Sequence, residues 1–274
     1  MFTFIFTSMI KKEPTNTRLP DNLEKYYFQG NKSLLFEDSH KLAIVGSRSI
    51  TSYTKDILDN LFYELKNYDF TIISGGMYGV DIYAHNLSLK NNLKTIFVLP
   101  QGIESYKKSS LFNQLKIPDN LDNFLFLSKY SSDELPRNYT FLERNKIISN
   151  ISSCVFVAQA GDRSGSFSTG MYSLKNSKKV FCPPFSLDSV QFQGTNTLIS
   201  LGASIYLKPT DLLDFFNIDS CNLENEISKL LKNEPKSLQE LSNFLGIKVT
   251  LLEKNLLNLI LRGGILFDGE RYYL

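Results

Sequence analysis

The chain has 274 residues, 42% of them hydrophobic, which suits one α/β domain plus a small second module on the usual scale of ~100–200 residues per domain. Its 30 Lys and Arg stand against 28 Asp and Glu, a formal net charge of +2. That excludes a broadly basic nucleic-acid-coating protein and confines any nucleic-acid site to a local patch. Cys154, Cys182 and Cys221 are widely spaced with no CxxC pair. Cys154 and Cys182 read as apolar filler in strand-like runs, and the pattern fits a reducing compartment and leads to an expected cytoplasmic location.

The N-terminal MFTFIFTSMI lacks the basic lead and small-residue cleavage site of a secretory signal, and is expected to be a terminal strand or docking segment. No run of about 20 apolar residues occurs, so no membrane insertion is expected. From Lys41 onward, apolar strand, small-residue loop and helix repeat. Leu42–Gly46 (LAIVG) is a continuous apolar run of the kind buried on both faces of a parallel sheet. A helix capped by Thr51 or Ser52 follows, with Tyr53, Ile57, Leu58, Leu61, Phe62 and Leu65 at helical spacing. Thr71–Ser74 is the next strand, GGMYG its loop and VDIYAHNLSLKN its helix. Lys94–Pro100 is a strand leading into a loop, QGIESYKKSS. Phe124–Tyr130 is followed by the polar loop SSDELPRN and the helix TFLERNKIISNIS. Cys154–Ala160 ends in GDRSGS before the helix SFSTGMYSLKN, Lys179–Pro184 is a further strand, and Gly194–Gly202 a short helix. The alternation predicts an α/β fold with an extended, Rossmann-like, mostly parallel sheet flanked by helices.

After Cys221 the pattern changes to three short helices, the second with a capping box at Ser237 and Glu240, then a hairpin around Asp268-Gly269. That is a winged-helix pattern. The expected division is an N-terminal extension over 1–40, a Rossmann-like domain over 41–218 and a small winged-helix-like module over 222–274. The module holds seven Lys/Arg and seven Asp/Glu. This balance favours protein contact over reading duplex DNA.

In an open parallel sheet, ligands bind beyond the carboxyl ends of the strands. Three strands here end in small-residue loops: Gly46-Ser47-Arg48, then Ser74-Gly75-Gly76 with Gly79 and Asp81, then Arg163-Ser164-Gly165-Ser166. Glycines admit an anion to the backbone, and helix N-termini offer unpaired N–H groups. Arg48 and Arg163 add guanidinium donors. Asp81 reads as a helix N-terminal residue or a partner for an arginine. The Arg144-Asn145-Lys146 group is expected on the first turn of its helix, pointing outward. Tyr78 and Tyr139 flank the rim and are candidates to stack on bases, or are simply tyrosines.

A nicotinamide or flavin dinucleotide would need GxGxxG after the first strand, where GSRSIT stands, and no GxxxxGK[ST] loop is present. No cofactor is therefore expected. His40 and His85 form no metal-spaced cluster and no GxSxG elbow occurs, so no catalytic residue and no metal are assigned.

Five motifs occur in order: IVGSR at Ile44–Arg48, SGGxxGxD at Ser74–Asp81, FxxRNKxI at Phe141–Ile148, SGSxxT at Ser164–Thr169 and GTNxLIxxGA at Gly194–Ala203. The ordered set resembles the DNA-processing protein A (DprA/Smf) family over about Leu34 to Leu207, and the C-terminal pattern is similar to that family's end module. The resemblance implies a protein that binds single-stranded DNA, dimerises, protects incoming DNA and loads the RecA recombinase in natural transformation. Carried over by motif, it implies DNA contacts from Gly46, Ser47, Arg48, Gly75, Gly76, Arg144, Asn145 and Lys146, with Arg137 beside them and Ser164, Gly165 and Ser166 on the rim. Departures are Met77-Tyr78 after Ser-Gly-Gly, Tyr106-Lys107 where Tyr-Pro is common, and Cys182-Pro183-Pro184 for Val-Pro-Gly. The first motif begins at Ile44, so the helical N-terminal module of some members is not expected. Two other readings are a nucleotide-phosphate-processing Rossmann-like enzyme, with Asp81 or Glu143 as the nearest carboxylates, and an interaction scaffold with an unused rim.

Overall fold

A computed structural model describes residues 25–117, 122–216, 218, 220–245, 247 and 249–274. The apolar N-terminal segment discussed above lies outside the described residues. The chain runs β1 (Tyr27–Gly30), β2 (His40–Gly46), α1 (Ser52–Leu65), β3 (Phe70–Ser74), α2 (Val80–Lys90), β4 (Lys94–Leu99), α3 (Ile103–Lys107), β5 (Phe124–Ser128), α4 (Asn138–Ile151) and β6 (Cys154–Gln159). It continues as α5 (Gly165–Lys175), β7 (Lys179–Cys182), α6 (Gln193–Ser200), β8 (Ser204–Ile205), α7 (Thr210–Phe215), α8 (Ser220–Asn233), α9 (Leu238–Leu245), α10 (Val249–Leu261), β9 (Leu266–Phe267) and β10 (Tyr272–Tyr273).

Among the described residues, eight strands form one sheet in the order β1-β5-β4-β3-β2-β6-β7-β8. β1 runs antiparallel to β5, and the other pairings are parallel. The chain therefore winds outward from β2 through β3, β4 and β5, then returns to lay β6, β7 and β8 on the other side of β2. The direction reverses between β2 and β6, which is where such sheets open a ligand crevice. At that junction Val45 pairs with Val157 but Gly46 with Gln159, a one-residue slip at the end of the ladder.

The continuous apolar strands are explained by cover on both faces. Ala43 and Val45 point to one side, with Val155, Val157 and the α4 residues Ile147, Ile148 and Ile151. Leu42 and Ile44 point to the other, with Phe156 and the α1 residues Leu58, Leu61, Phe62 and Leu65. A third cluster joins Phe97, Phe124 and Phe126 to Ile103 and Tyr106 of α3. The segment QGIESYKKSS, expected as a loop, thus carries a short buried helix; its Ile103 and Tyr106 are three apart and fall on one face.

The expected boundary at residue 41 lies too late. Tyr27–Gly30 closes the sheet edge against β5, and Leu34 and Leu35 are buried in the main core. The thiols of Cys154 and Cys182 are free and buried. Three helices and a hairpin follow in the C-terminal module, around a separate core that includes Ile227, Leu241, Leu252, Leu256 and Tyr272. The capping box forms as expected: Ser237 N donates to Glu240 Oε2 at 2.7 Å and Glu240 N to Ser237 Oγ at 3.3 Å. Among the described residues, no helix is long and apolar enough to cross a membrane.

Candidate nucleic-acid interface

The carboxyl ends of β2, β3 and β6 deliver their loops to one cleft of about 220 Å³. Gly46, Ser47 and Arg48 line it from β2, Arg144 and Asn145 from α4, and Ser164, Gly165 and Ser166 from the start of α5. Val45, Met77, Asp81, Phe141 and Thr169 complete the wall. Of the DNA contacts that the resemblance implies, Gly75, Gly76, Arg137 and Lys146 do not line the cleft.

The first loop is held open by main-chain and side-chain bonds. Val80 N donates to Ser47 O at 3.1 Å, which docks α2 under the loop. A Cβ on Gly46 would meet Val80 Cγ2 at 2.5 Å, so the glycine gives that helix its close approach. Gly79 has φ +81° and lies against the carbonyls of Ser47 and Arg48. Ser49 N donates to Ser47 Oγ at 3.1 Å. Gln159, fully buried at the end of β6, fastens the loop's far side: its Oε1 accepts from Thr51 N at 3.1 Å and Thr54 Oγ1 at 2.9 Å, and its Nε2 donates to Ser49 O at 3.0 Å. Sequence reasoning passed over Gln159 as part of a strand. The available signal was a polar amide closing an otherwise apolar run, which a buried strand tolerates only with its bonds made.

The Arg144 group is where expectation and structure part. Arg144 and Asn145 sit on the second turn of α4 and are buried, with Lys146 alone exposed. Helical spacing explains it: Arg144 shares a face with Ile147, Ile148 and Ile151, so the face that packs on the sheet carries the guanidinium inward. There Arg144 Nη1 bonds Asp81 Oδ2 at 3.3 Å, with the two side chains 7% and 7% exposed. Asp81 is thus an arginine partner, as one reading had it. Burial pushes the Asp81 carboxyl above its ordinary range, opposed by the adjacent guanidinium. Burial also lowers Arg144, opposed by Asp81. Asn145 Nδ2 donates to Gly165 O at 3.3 Å and ties α4 to the start of α5.

The second loop has a packing role. Gly75 and Gly76 are buried. A side chain on Gly75 would occupy the space of the Arg144 guanidinium. Gly76, at φ +71°, presents its carbonyl to Tyr106 Oη at 2.7 Å. These glycines build the floor behind the cleft. The third loop caps α5: Ser164 Oγ accepts from Phe167 N at 3.1 Å, and Arg163 stands at φ +58° with its side chain in solvent, away from the cleft.

Arg48 is exposed, with its guanidinium 5.4 Å from the Phe141 ring centroid. Arg137 is exposed at the N-cap of α4, its N–H donating to Thr140 Oγ1 at 3.0 Å. Tyr139 is exposed, and Tyr78 hydrogen-bonds Ser110 Oγ at 2.6 Å. His85 is buried and stacked on Phe97 with ring centroids 3.5 Å apart. Among the described residues, no three His, Cys, Asp or Glu side chains gather as metal ligands.

A doubly wound sheet with a cleft at its switch point, lined by two guanidiniums, a helix N-terminus and serine hydroxyls, defines a Rossmann-like protein. The chain belongs to the DNA recombination-mediator protein A family, whose model matches residues 11–217. It is 30% identical to DNA processing protein DprA of Bacillus subtilis over 69% of this chain and 62% of that one. It is 31% identical to the Streptococcus pneumoniae protein of the same name over 69% of this chain and 66% of that one. The chain therefore spans a little under two thirds of the length of these relatives. Its fold is similar to that of the Helicobacter pylori DNA processing protein A, a protein described for a unique single-stranded DNA binding mode: TM-score 0.62, 32% identity, covering 74% of this chain and 91% of that one.

Proposed function

We propose that the switch-point cleft, with the exposed Lys146 and Arg137 beside it, holds the sugar–phosphate chain of single-stranded DNA. In this reading the protein protects incoming DNA and loads the RecA recombinase during natural transformation, in the cytoplasm. The observation that carries it is the convergence of the β2 loop, α4 and the α5 N-terminus on one cleft, where Arg48 and Arg144 face a single carboxylate, Asp81. Membership of a recombination-mediator family and the likeness to a single-strand-binding relative support the same reading.

A binding role is favoured over nucleotide-phosphate chemistry because both carboxylates nearest the cleft are engaged. Asp81 pairs with Arg144, while Glu143 pairs with Lys129 at 3.1 Å and accepts from Tyr130 Oη at 2.9 Å. Homodimerisation is part of the proposal. Its support is the short edge strand β8 and the exposed apolar side chains Leu201, Ile205 and Leu207 around it. The C-terminal module is read as a winged helix used for protein contact, since Leu257 and Leu261 on α10 and Leu266 on β9 are exposed. A gel-shift titration of the Arg48→Ala/Lys146→Ala double variant with oligothymidylate tests the site: affinity should fall by ~1–3 kcal/mol per lost charged contact. Unchanged affinity would remove the site from the account.

A further inference from the structure

The cleft is small and carries more positive charge than one internal phosphodiester balances. Arg144 is 6% exposed, yet a guanidinium with five N–H donors finds one carboxylate oxygen, at 3.3 Å. Its Nε–H is buried with no acceptor among the described residues. A buried cation compensated this thinly is held at a cost that an arriving anion would offset.

The wall adds to that demand. Arg48 and Arg144 against Asp81 leave one positive charge uncancelled. Gly165 and Ser166 open the 11-residue α5, and their amides have no carbonyl partner within the helix. That terminus contributes roughly +0.5 charge. The total of about +1.5 exceeds the single charge of an internal phosphodiester. It matches a phosphomonoester, which carries about −1.5 to −2 near neutrality. The cleft volume, about 220 Å³, is below the ~300–1,000 Å³ that encloses larger ligands, and suits a phosphate group with its base and sugar left outside.

We infer that this cleft captures a terminal phosphomonoester, at the end of a DNA strand or on a free mononucleotide, in preference to internal phosphodiesters. The inference deepens the strand-binding reading and rests on it for the identity of the physiological ligand. Strand ends would then be anchored in the cleft, while internal phosphates lie along the exposed basic side chains outside it.

The test uses the full chain and fluorescence anisotropy. Short oligothymidylates of one length carry a 5′-phosphate, a 3′-phosphate or hydroxyls at both ends, and thymidine monophosphate and thymidine serve as competitors. One phosphorylated end should bind roughly tenfold more tightly than the hydroxyl-ended strand. Thymidine monophosphate should displace it and thymidine should not. The advantage should shrink at about pH 5, where the monoester loses its second charge. Equal affinity for all ends, without competition by the monophosphate, overturns end capture while leaving strand binding intact. Binding of the monophosphate with no affinity for any oligonucleotide upholds the phosphomonoester site and overturns the strand reading.

Discussion

Gly75 and Arg144 share one space: a Cβ on residue 75 would fall on the guanidinium that pairs with Asp81. The glycine is required by a side chain 69 positions away, and through it the floor of the cleft is built. Gly75→Ala should therefore destabilise the fold by ~1–3 kcal/mol, as overpacking does, and should weaken oligonucleotide binding along with it. Urea denaturation and anisotropy on the same preparation check both. A fully stable Gly75→Ala protein would mean that Arg144 relocates at little cost.

The two guanidiniums of the cleft should separate by assay. Arg48 is exposed, so Arg48→Ala should leave the melting temperature unchanged and weaken binding by ~1–3 kcal/mol. Arg144→Met leaves the Asp81 carboxylate buried without its partner and should cost ~3–5 kcal/mol of stability. Adding Asp81→Asn to Arg144→Met should recover part of that loss. Additive losses in the double variant would show that the pair is not coupled.

Gln159→Leu should loosen the β2 loop. Four hydrogen bonds from the loop and from α1 end on this one amide, and their loss leaves Thr51 N and Ser49 O without it. A stability loss of ~1–3 kcal/mol is expected, with faster hydrogen exchange at residues 47–54 than in the remainder of the sheet.

His85 should make the fold acid-sensitive. Burial first, and then the Arg144 charge, push its pKa down from 6.5 to about 3. Between those values the unfolded chain binds a proton that the folded chain refuses, so stability rises with pH there and falls as the solution is acidified below about 6.5. His85→Phe, which keeps a ring against Phe97, should flatten that part of the stability curve. An unchanged acid slope in the variant would assign it to other groups.

How much of this was legible in the sequence depended on what each residue answers to. Strands β2 and β6 are visible because burial on both faces demands unbroken apolar runs, here Leu42–Val45 and Cys154–Ala158. The loops that meet at the switch point are visible because small residues follow each strand. Arg144 was misjudged because charge was weighed over helical phase: its 3.6-residue periodicity with Ile147, Ile148 and Ile151 already placed it inward. The part played by Gly75 depends on a contact across 69 residues, and no local pattern encodes that. β1 was missed because a four-residue edge strand, Tyr27–Gly30, takes its identity from pairing with β5.

The most direct test of the account is a salt-dependent titration of single- and double-stranded oligonucleotides of equal length, with the intact protein and with Arg48→Ala. Counterion release predicts that log affinity for the single strand falls linearly with log salt, and that Arg48→Ala lowers the slope by about 0.7. The single strand should bind more tightly than the duplex at every salt concentration. A slope near zero, or one that Arg48→Ala leaves unchanged, would contradict a phosphate-holding role for the switch-point cleft.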